Sequence, residues 1–125
     1  MQNVVIGMLF RENKLLVAQR LSQPFKGYFE CPGGKVENNE SLMDALKREF
    51  MEEGACMIQS ATLVFDYTVD YLNLHLYWFI VETDKSFQAI IYDQLNYIRV
   101  DEVDQLAWID HNLAYRENIK ACFKK

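Results

Sequence analysis

The sequence predicts an α+β fold with a mixed, mainly β core, and three observations carry that prediction. Apolar runs rich in β-branched and aromatic residues recur at residues 4–10 (VVIGMLF), 63–69 (LVFDYTV) and 74–82 (LHLYWFIVE), as strands require. From Leu42 the chain holds good helix formers with no Gly or Pro until Gly54. A second helical pattern, residues 113–123, closes the chain, with Leu113, Ile119, Cys122 and Phe123 as its expected apolar contacts. A chain of 125 residues with 50% hydrophobic content can bury a real core, so one domain over residues 1–125 is expected.

The elements follow in order. Residues 4–10 read as a buried strand, residues 11–14 as a polar turn and residues 15–19 as the partner strand of a hairpin. Arg20 ends that strand, either as a surface side chain or as a phosphate or base contact, since guanidinium suits planar anions. Residues 21–27 form a loop containing Pro24 and Gly27. Tyr28 and Phe29 suit either a core strand or stacking on a base. Gly33 and Gly34 follow Pro32, so the backbone turns there and can approach a ligand closely. Ser41 with Asp44 fits a capping box at the helix start. The strands at 63–69 and 74–82 join around Tyr71-Leu72-Asn73 as a hairpin. His75 has no second His or Cys placed beside it, so its role is structural. Residues 85–100 read as a loop with one short strand, and residues 106–109 as another short strand.

The chemistry concentrates on the helix after Gly34. Glu49 and Glu53 lie four apart, Glu52 lies three after Glu49, and all three carboxylates project near one face with Arg48 one turn before Glu52. A bare acidic cluster on a helix is usually a solvated face. Like charges this close repel, and a hard divalent cation with oxygen ligands, Mg²⁺ or Mn²⁺, would neutralise them. Gly34, Glu40, Arg48, Glu49, Phe50, Glu52 and Glu53 stand at the spacing G-x5-E-x7-R-E-U-x-E-E, with U a bulky apolar residue. This resembles the Nudix box, the signature of hydrolases that cleave nucleoside diphosphates linked to another group. The family pattern continues x-G-U, and here Ala55 stands in place of that Gly. An Ala at positive φ costs on the order of 1 kcal/mol, and Gly54 is expected to take over the helix cap one residue early.

Residues 28–37, YFECPGGKVE, look like the W-x-F/L-P-G-G-K-x-E run of MutT-like members, which are nucleoside triphosphate pyrophosphohydrolases. The resemblance implies a Nudix fold, a mixed sheet sandwiched by helices with a catalytic loop-helix-loop. It implies metal binding by Gly34, Glu49, Glu52, Glu53 and, from a loop six residues before Trp108, Glu102. Glu49, Glu52 and Glu102 are all candidates for the general base, with Arg48 orienting the carboxylates. Lys35 and Arg20 would hold phosphates. Tyr28, Phe29, Tyr77 and Phe79 would shape the base pocket, with Glu117 or Asn118 reading the base. The implied reaction is Mg²⁺-dependent hydrolysis of an oxidised or otherwise noncanonical nucleoside triphosphate, of the 8-oxo-dGTP type, to monophosphate and pyrophosphate. The alternatives are a hydrolase of ADP-ribose, nucleotide sugars or dinucleoside polyphosphates, and a non-catalytic nucleotide-binding module, although such modules usually lose box carboxylates.

Composition excludes other classes. A net charge of −5 argues against a partner that is a nucleic-acid polymer. No apolar run reaches 18 residues, so no membrane span is expected, and the start MQNVVIGMLF lacks the basic region and cleavage site of a signal peptide. Cys31, Cys56 and Cys122 lack metal-type spacing and read as free thiols in a reducing, cytoplasmic setting. The chain is expected to act on a small-molecule nucleotide as a monomer or homodimer.

Overall fold

A computed structural model describes residues 1–125, apart from the side chains of Asp93, Asp110 and His111. Its elements are β1 (Gln2–Arg11), β2 (Lys14–Arg20), β3 (Phe29–Glu30), β4 (Gly33–Lys35), α1 (Leu42–Gly54), β5 (Ser60–Val69), β6 (Leu74–Glu82), β7 (Tyr92–Ile98), α2 (Asp110–Leu113) and α3 (Arg116–Lys120). The strands form a mixed sheet in the order β3-β2-β1-β6-β5, with β4 also paired to β1 and β7 to β2. β1 runs parallel to β6 from Gln2 opposite Leu74 to Leu9 opposite Val81, and the other pairings are antiparallel.

The near-continuous apolar runs of β1 and β6 follow from burial on both faces, because alternate side chains enter different cores. Val5 and Leu9 join Ala45, Leu46 and Phe50 of α1 and Phe79 and Val81 of β6. Ile6 and Met8 join Leu76, Trp78, Trp108, Ile119 and Phe123 on the opposite face. The sheet is thus sandwiched between α1 and the C-terminal segment. β6 is interior, so its apolar character is explained without a dimer surface. Among the described residues, no helix is long and apolar enough to cross a membrane.

Four expectations need correction. Residues 85–100 contain a seven-residue strand, β7, which pairs with β2 from Leu15 opposite Ile98 to Arg20 opposite Tyr92. Its interleaved Gln94 and Asn96 hide it in the sequence, but the ladder satisfies the edge of β2. Residues 106–109 form no strand of their own beyond an isolated bridge between Phe29 and Trp108. The closing helix is two short pieces, interrupted at Tyr115, whose ring stacks on Tyr67 with centroids 3.4 Å apart; Leu113 is exposed, while Ile119 and Phe123 are buried as expected. The helix cap is the fourth. Gly54 stays inside α1, where a Cβ would meet the Phe87 ring at 2.5 Å. Ala55 itself takes the left-handed position at φ 48°, its N–H donating to the Met51 carbonyl. The tight Phe87 contact fixes Gly54 for packing and leaves the strained conformation to Ala55.

Candidate functional site

The site is built where β4 crosses the start of the sheet beside α1. Ser41 caps α1, its Oγ accepting from the Asp44 N–H at 3.0 Å, which fixes where the helix begins and therefore where its carboxylates point. Arg48 is the hub. Its Nε donates to Glu40 Oε2 at 2.7 Å, Nη1 to Glu49 Oε1 at 3.0 Å and Glu52 Oε1 at 3.2 Å, and Nη2 to the Lys35 carbonyl at 2.9 Å. One guanidinium therefore ties the helix to the loop and to β4, as its planar fork allows. The same bonds raise the Arg48 pKa, led by the one to Glu40, and hold Glu40 below the ordinary carboxylate range.

Glu53 lies deepest, with 6% of its surface exposed. Its Oε1 accepts from the Tyr92 hydroxyl at 2.8 Å and from the Gly33 N–H at 3.2 Å, and its carboxyl hydrogen-bonds Glu49. Burial, then the neighbouring Glu49, pushes the Glu53 pKa up to about 9, with Tyr92 and Gly33 opposing. Glu53 therefore favours its protonated form at neutral pH and hydrogen-bonds Glu49. Gly34 faces them: a Cβ there would lie 2.5 Å from Glu49 Oε1 and 2.6 Å from Oε2. Two carboxyls this close, beside a backbone with no side chain, offer oxygen donors that fit a hard divalent cation, which would displace the proton on Glu53. Glu52 is more exposed, at 57% of its side chain, and turned to Arg48. Among the described residues, no three carboxylate, imidazole or thiol side chains converge as a finished ligand set.

Beyond β4 a cavity of ≈ 390 Å³ opens on the opposite sheet face. Its floor is aliphatic, from Val4, Ile6, Leu74 and Leu76, and its rim carries Pro24, Phe25 and Leu72. Polar groups enter from Gly33, Gly34, Lys35, Arg20, Glu30 and Asn112. Arg20 Nη1 pairs with Glu30 Oε1 at 2.8 Å, and burial raises the Glu30 pKa while Arg20 opposes it. A smaller recess lined by Arg20, Glu30, Gly33, Glu53 and Tyr92 lies alongside, so Gly33 is common to the cavity and to the buried carboxyl.

A family model described as NUDIX domain matches residues 1–122. The chain belongs to the Nudix family. An 8-oxo-dGTP diphosphatase from Buchnera aphidicola is 32% identical over 85 residues, 67% of this chain and 65% of that protein. An ADP-ribose pyrophosphatase from Methanocaldococcus jannaschii is 45% identical over 49 residues, 39% of this chain and 29% of that protein. The matched segments therefore span less than two thirds of these relatives. The solution structure of the Escherichia coli ORF135 protein superposes with TM-score 0.85 at 28% identity, covering 97% of this chain and 89% of that one. The α+β Nudix fold expected from the sequence is the fold observed.

The structure brings together most, but not all, of the residues singled out in the sequence. Gly34, Arg48, Glu49, Glu52 and Glu53 gather on α1 and β4, with Lys35 and Arg20 at the cavity. Glu102 is elsewhere engaged: it sits in a 3₁₀ turn, Val100–Gln105, with Oε1 accepting from the Arg99 N–H at 2.9 Å. Phe79 is core beneath α1, Tyr77 packs against that same core, and Tyr28 is exposed with its ring edge-on to Phe25; none of the three lines the cavity, whereas Phe25 does. Glu117, at 80% side-chain exposure, pairs with Lys120, and exposed Asn118 faces a separate shallow groove. Asn112, not singled out in the sequence, is 1% exposed and lines the cavity wall. Its only sequence signal is a polar residue close behind the apolar Trp108-Ile109 pair. Tyr92 lay in the stretch without readable periodicity. His75 is hydrogen-bonded to Asp66 at 2.6 Å and stacked on Tyr77.

Proposed function

We propose that this Nudix protein hydrolyses a nucleoside triphosphate, oxidised or otherwise noncanonical, to monophosphate and pyrophosphate in a Mg²⁺-dependent reaction. The observation that carries this reading is the hydrogen-bonded carboxyl pair Glu49–Glu53, set against Gly34 and Gly33, two residues that also line the cavity. Glu49 and Glu53, with Glu52 from the next turn, would hold the cation. When bound, the metal supplies charge neutralisation at the phosphates and a water of lowered pKa.

The chain's own groups do the rest. Tyr92 and the Gly33 N–H hold Glu53 in place, and Arg48 restrains Glu49 and Glu52, so the acids are positioned before substrate arrives. Lys35 offers a point charge to phosphate where β4 passes the cavity, and Arg20 offers Nη2, the guanidinium nitrogen not engaged with Glu30 or Pro24. Asn112 meets the base. Glu49 and Glu52 remain the candidates for accepting the proton of the attacking water; Glu102, occupied by its own turn, is the weaker one. A Glu52→Gln variant should fold normally and lose nearly all activity. An active, metal-dependent Glu52→Gln protein would remove that residue from the metal site.

A second reading, hydrolysis of ADP-ribose, is favoured by the name of the Methanocaldococcus relative. The 32% relation to an 8-oxo-dGTP diphosphatase over a longer stretch supports the triphosphate. Reaction products separate the two, since ADP-ribose releases no pyrophosphate.

A further inference from the structure

Phe87 is not one of the groups placed in the site, yet its ring lies against both supports of Glu53. It is 6% exposed and edge-on to Phe50 of α1, with centroids 5.2 Å apart and planes at 79°. The same ring is 6.5 Å from that of Tyr92, whose hydroxyl donates to Glu53 Oε1 at 2.8 Å. It also fills the space beside Gly54, the residue next to Glu53 in the chain, where a Cβ would meet ring carbons at 2.5 Å. The Gln88 N–H donates to the Gly54 carbonyl at 2.8 Å, which ties the segment carrying the ring to the last turn of α1. The start of that segment is held as well. Arg11 Nη2 donates to the Thr83 carbonyl at 2.7 Å and the Lys85 carbonyl at 2.8 Å, and Thr83 Oγ1 donates to the Met57 carbonyl at 2.6 Å. A ring packed this closely, on a backbone anchored on both sides, passes its position to its neighbours.

We infer that Phe87 seats the last turn of α1 and the Tyr92 ring against each other, and so places the Glu53 carboxylate for a divalent cation. The inference rests on Glu53 as a cation ligand, as proposed above, and adds a residue outside the ligand set. Phe87 is a positioning residue: it acts through Gly54 and Tyr92 and touches neither cation nor substrate. Truncating the ring opens a cavity beside Tyr92, so its hydroxyl no longer holds Glu53 Oε1 in one place. The outer partners of metal ligands are worth roughly 10- to 100-fold in affinity, and the lower end applies to a residue one contact further out.

The test is calorimetric binding of Mn²⁺ to the full chain, well below the melting temperature, where affinity reports only on folded molecules. Phe87→Ala should weaken Mn²⁺ about tenfold, whereas Phe87→Leu, which keeps most of the bulk, should bind close to the parent. Gly54→Ala pushes the ring off its seat from the other side and should weaken Mn²⁺ in the same direction, although Ala suits a helix better than Gly. Ile119→Ala is the control, a truncation of an equally buried side chain in the core on the opposite face of the sheet, and should leave the affinity unchanged. Parental affinity in folded Phe87→Ala or Gly54→Ala, or an equal loss in Ile119→Ala, would overturn the inference. No turnover is needed. A chain that binds Mn²⁺ and responds as stated but hydrolyses no triphosphate would keep the inference and refute the proposed reaction, whereas a parent chain that binds no Mn²⁺ would refute both.

Discussion

Replacing Gly34 with Ala separates the site from the fold. A Cβ at Gly34 would collide with the Glu49 carboxylate, 2.5 Å from Oε1 and 2.6 Å from Oε2. Those atoms end a flexible side chain, so Glu49 can swing aside and β4 keeps its pairing with β1. Stability in EDTA should therefore change by less than about 1 kcal/mol, the more so because Ala restricts the unfolded chain. The cation, however, loses one of its two innermost oxygen donors. If that weakens Mg²⁺ or Mn²⁺ tenfold, stabilisation at a concentration 100 times the parent Kd drops from about 2.7 to about 1.4 kcal/mol. For a domain of this size the metal-induced rise in Tm should fall from roughly 10 °C to roughly 5 °C. Thermal melts across a metal titration measure both quantities. Gly33→Ala is the contrast: its Cβ would strike the Val5 backbone carbonyl, which cannot move without breaking the sheet, so that variant should lose stability with or without metal. Undiminished metal stabilisation in Gly34→Ala would refute the placement of the cation against Glu49.

Other perturbations follow from the same geometry. Glu53 is protonated in the folded chain up to about pH 9, whereas the unfolded chain releases that proton near its ordinary value, so metal-free stability should fall as pH rises between those limits. Glu53→Gln should flatten that fall and be more stable than the parent in EDTA at pH 8; parallel pH profiles would deny the buried acid. Ala55→Gly should stabilise by about 1 kcal/mol in denaturant unfolding, because the left-handed position then carries no Cβ. Arg48→Lys keeps the charge but cannot reach Glu40, Glu49, Glu52 and the Lys35 carbonyl together, so activity should drop roughly 10- to 100-fold. Activity retained in folded Arg48→Lys would show that the hub is dispensable.

The parts of the site visible in the sequence are those set by local geometry. Helical spacing alone placed Glu49, Glu52 and Glu53 on one face, and the Pro32-Gly33-Gly34 turn announced a close backbone approach. The apolar runs of β1 and β6 marked both as strands for the same reason. What escaped depends on pairing between distant segments. Tyr92 reaches Glu53 only because β7 pairs with β2, a ladder whose polar residues give no clean period. Asn112 reaches the cavity from the short helix α2, where it meets Tyr67 of the distant strand β5, a contact that no helical pattern encodes. Ala55 in the left-handed cap was hidden by a tertiary contact, the Phe87 ring against Gly54. Glu102 was suggested by distance from Trp108, but its side chain serves its own turn.

The central claim is tested most directly by incubating the protein with Mg²⁺ and a panel of substrates, counting pyrophosphate and phosphate separately. The panel holds common and oxidised deoxynucleoside triphosphates, ADP-ribose and a nucleotide sugar. The account predicts pyrophosphate release from one triphosphate far faster than from the rest, abolished by EDTA. Turnover of ADP-ribose or the sugar nucleotide with no action on any triphosphate would contradict it.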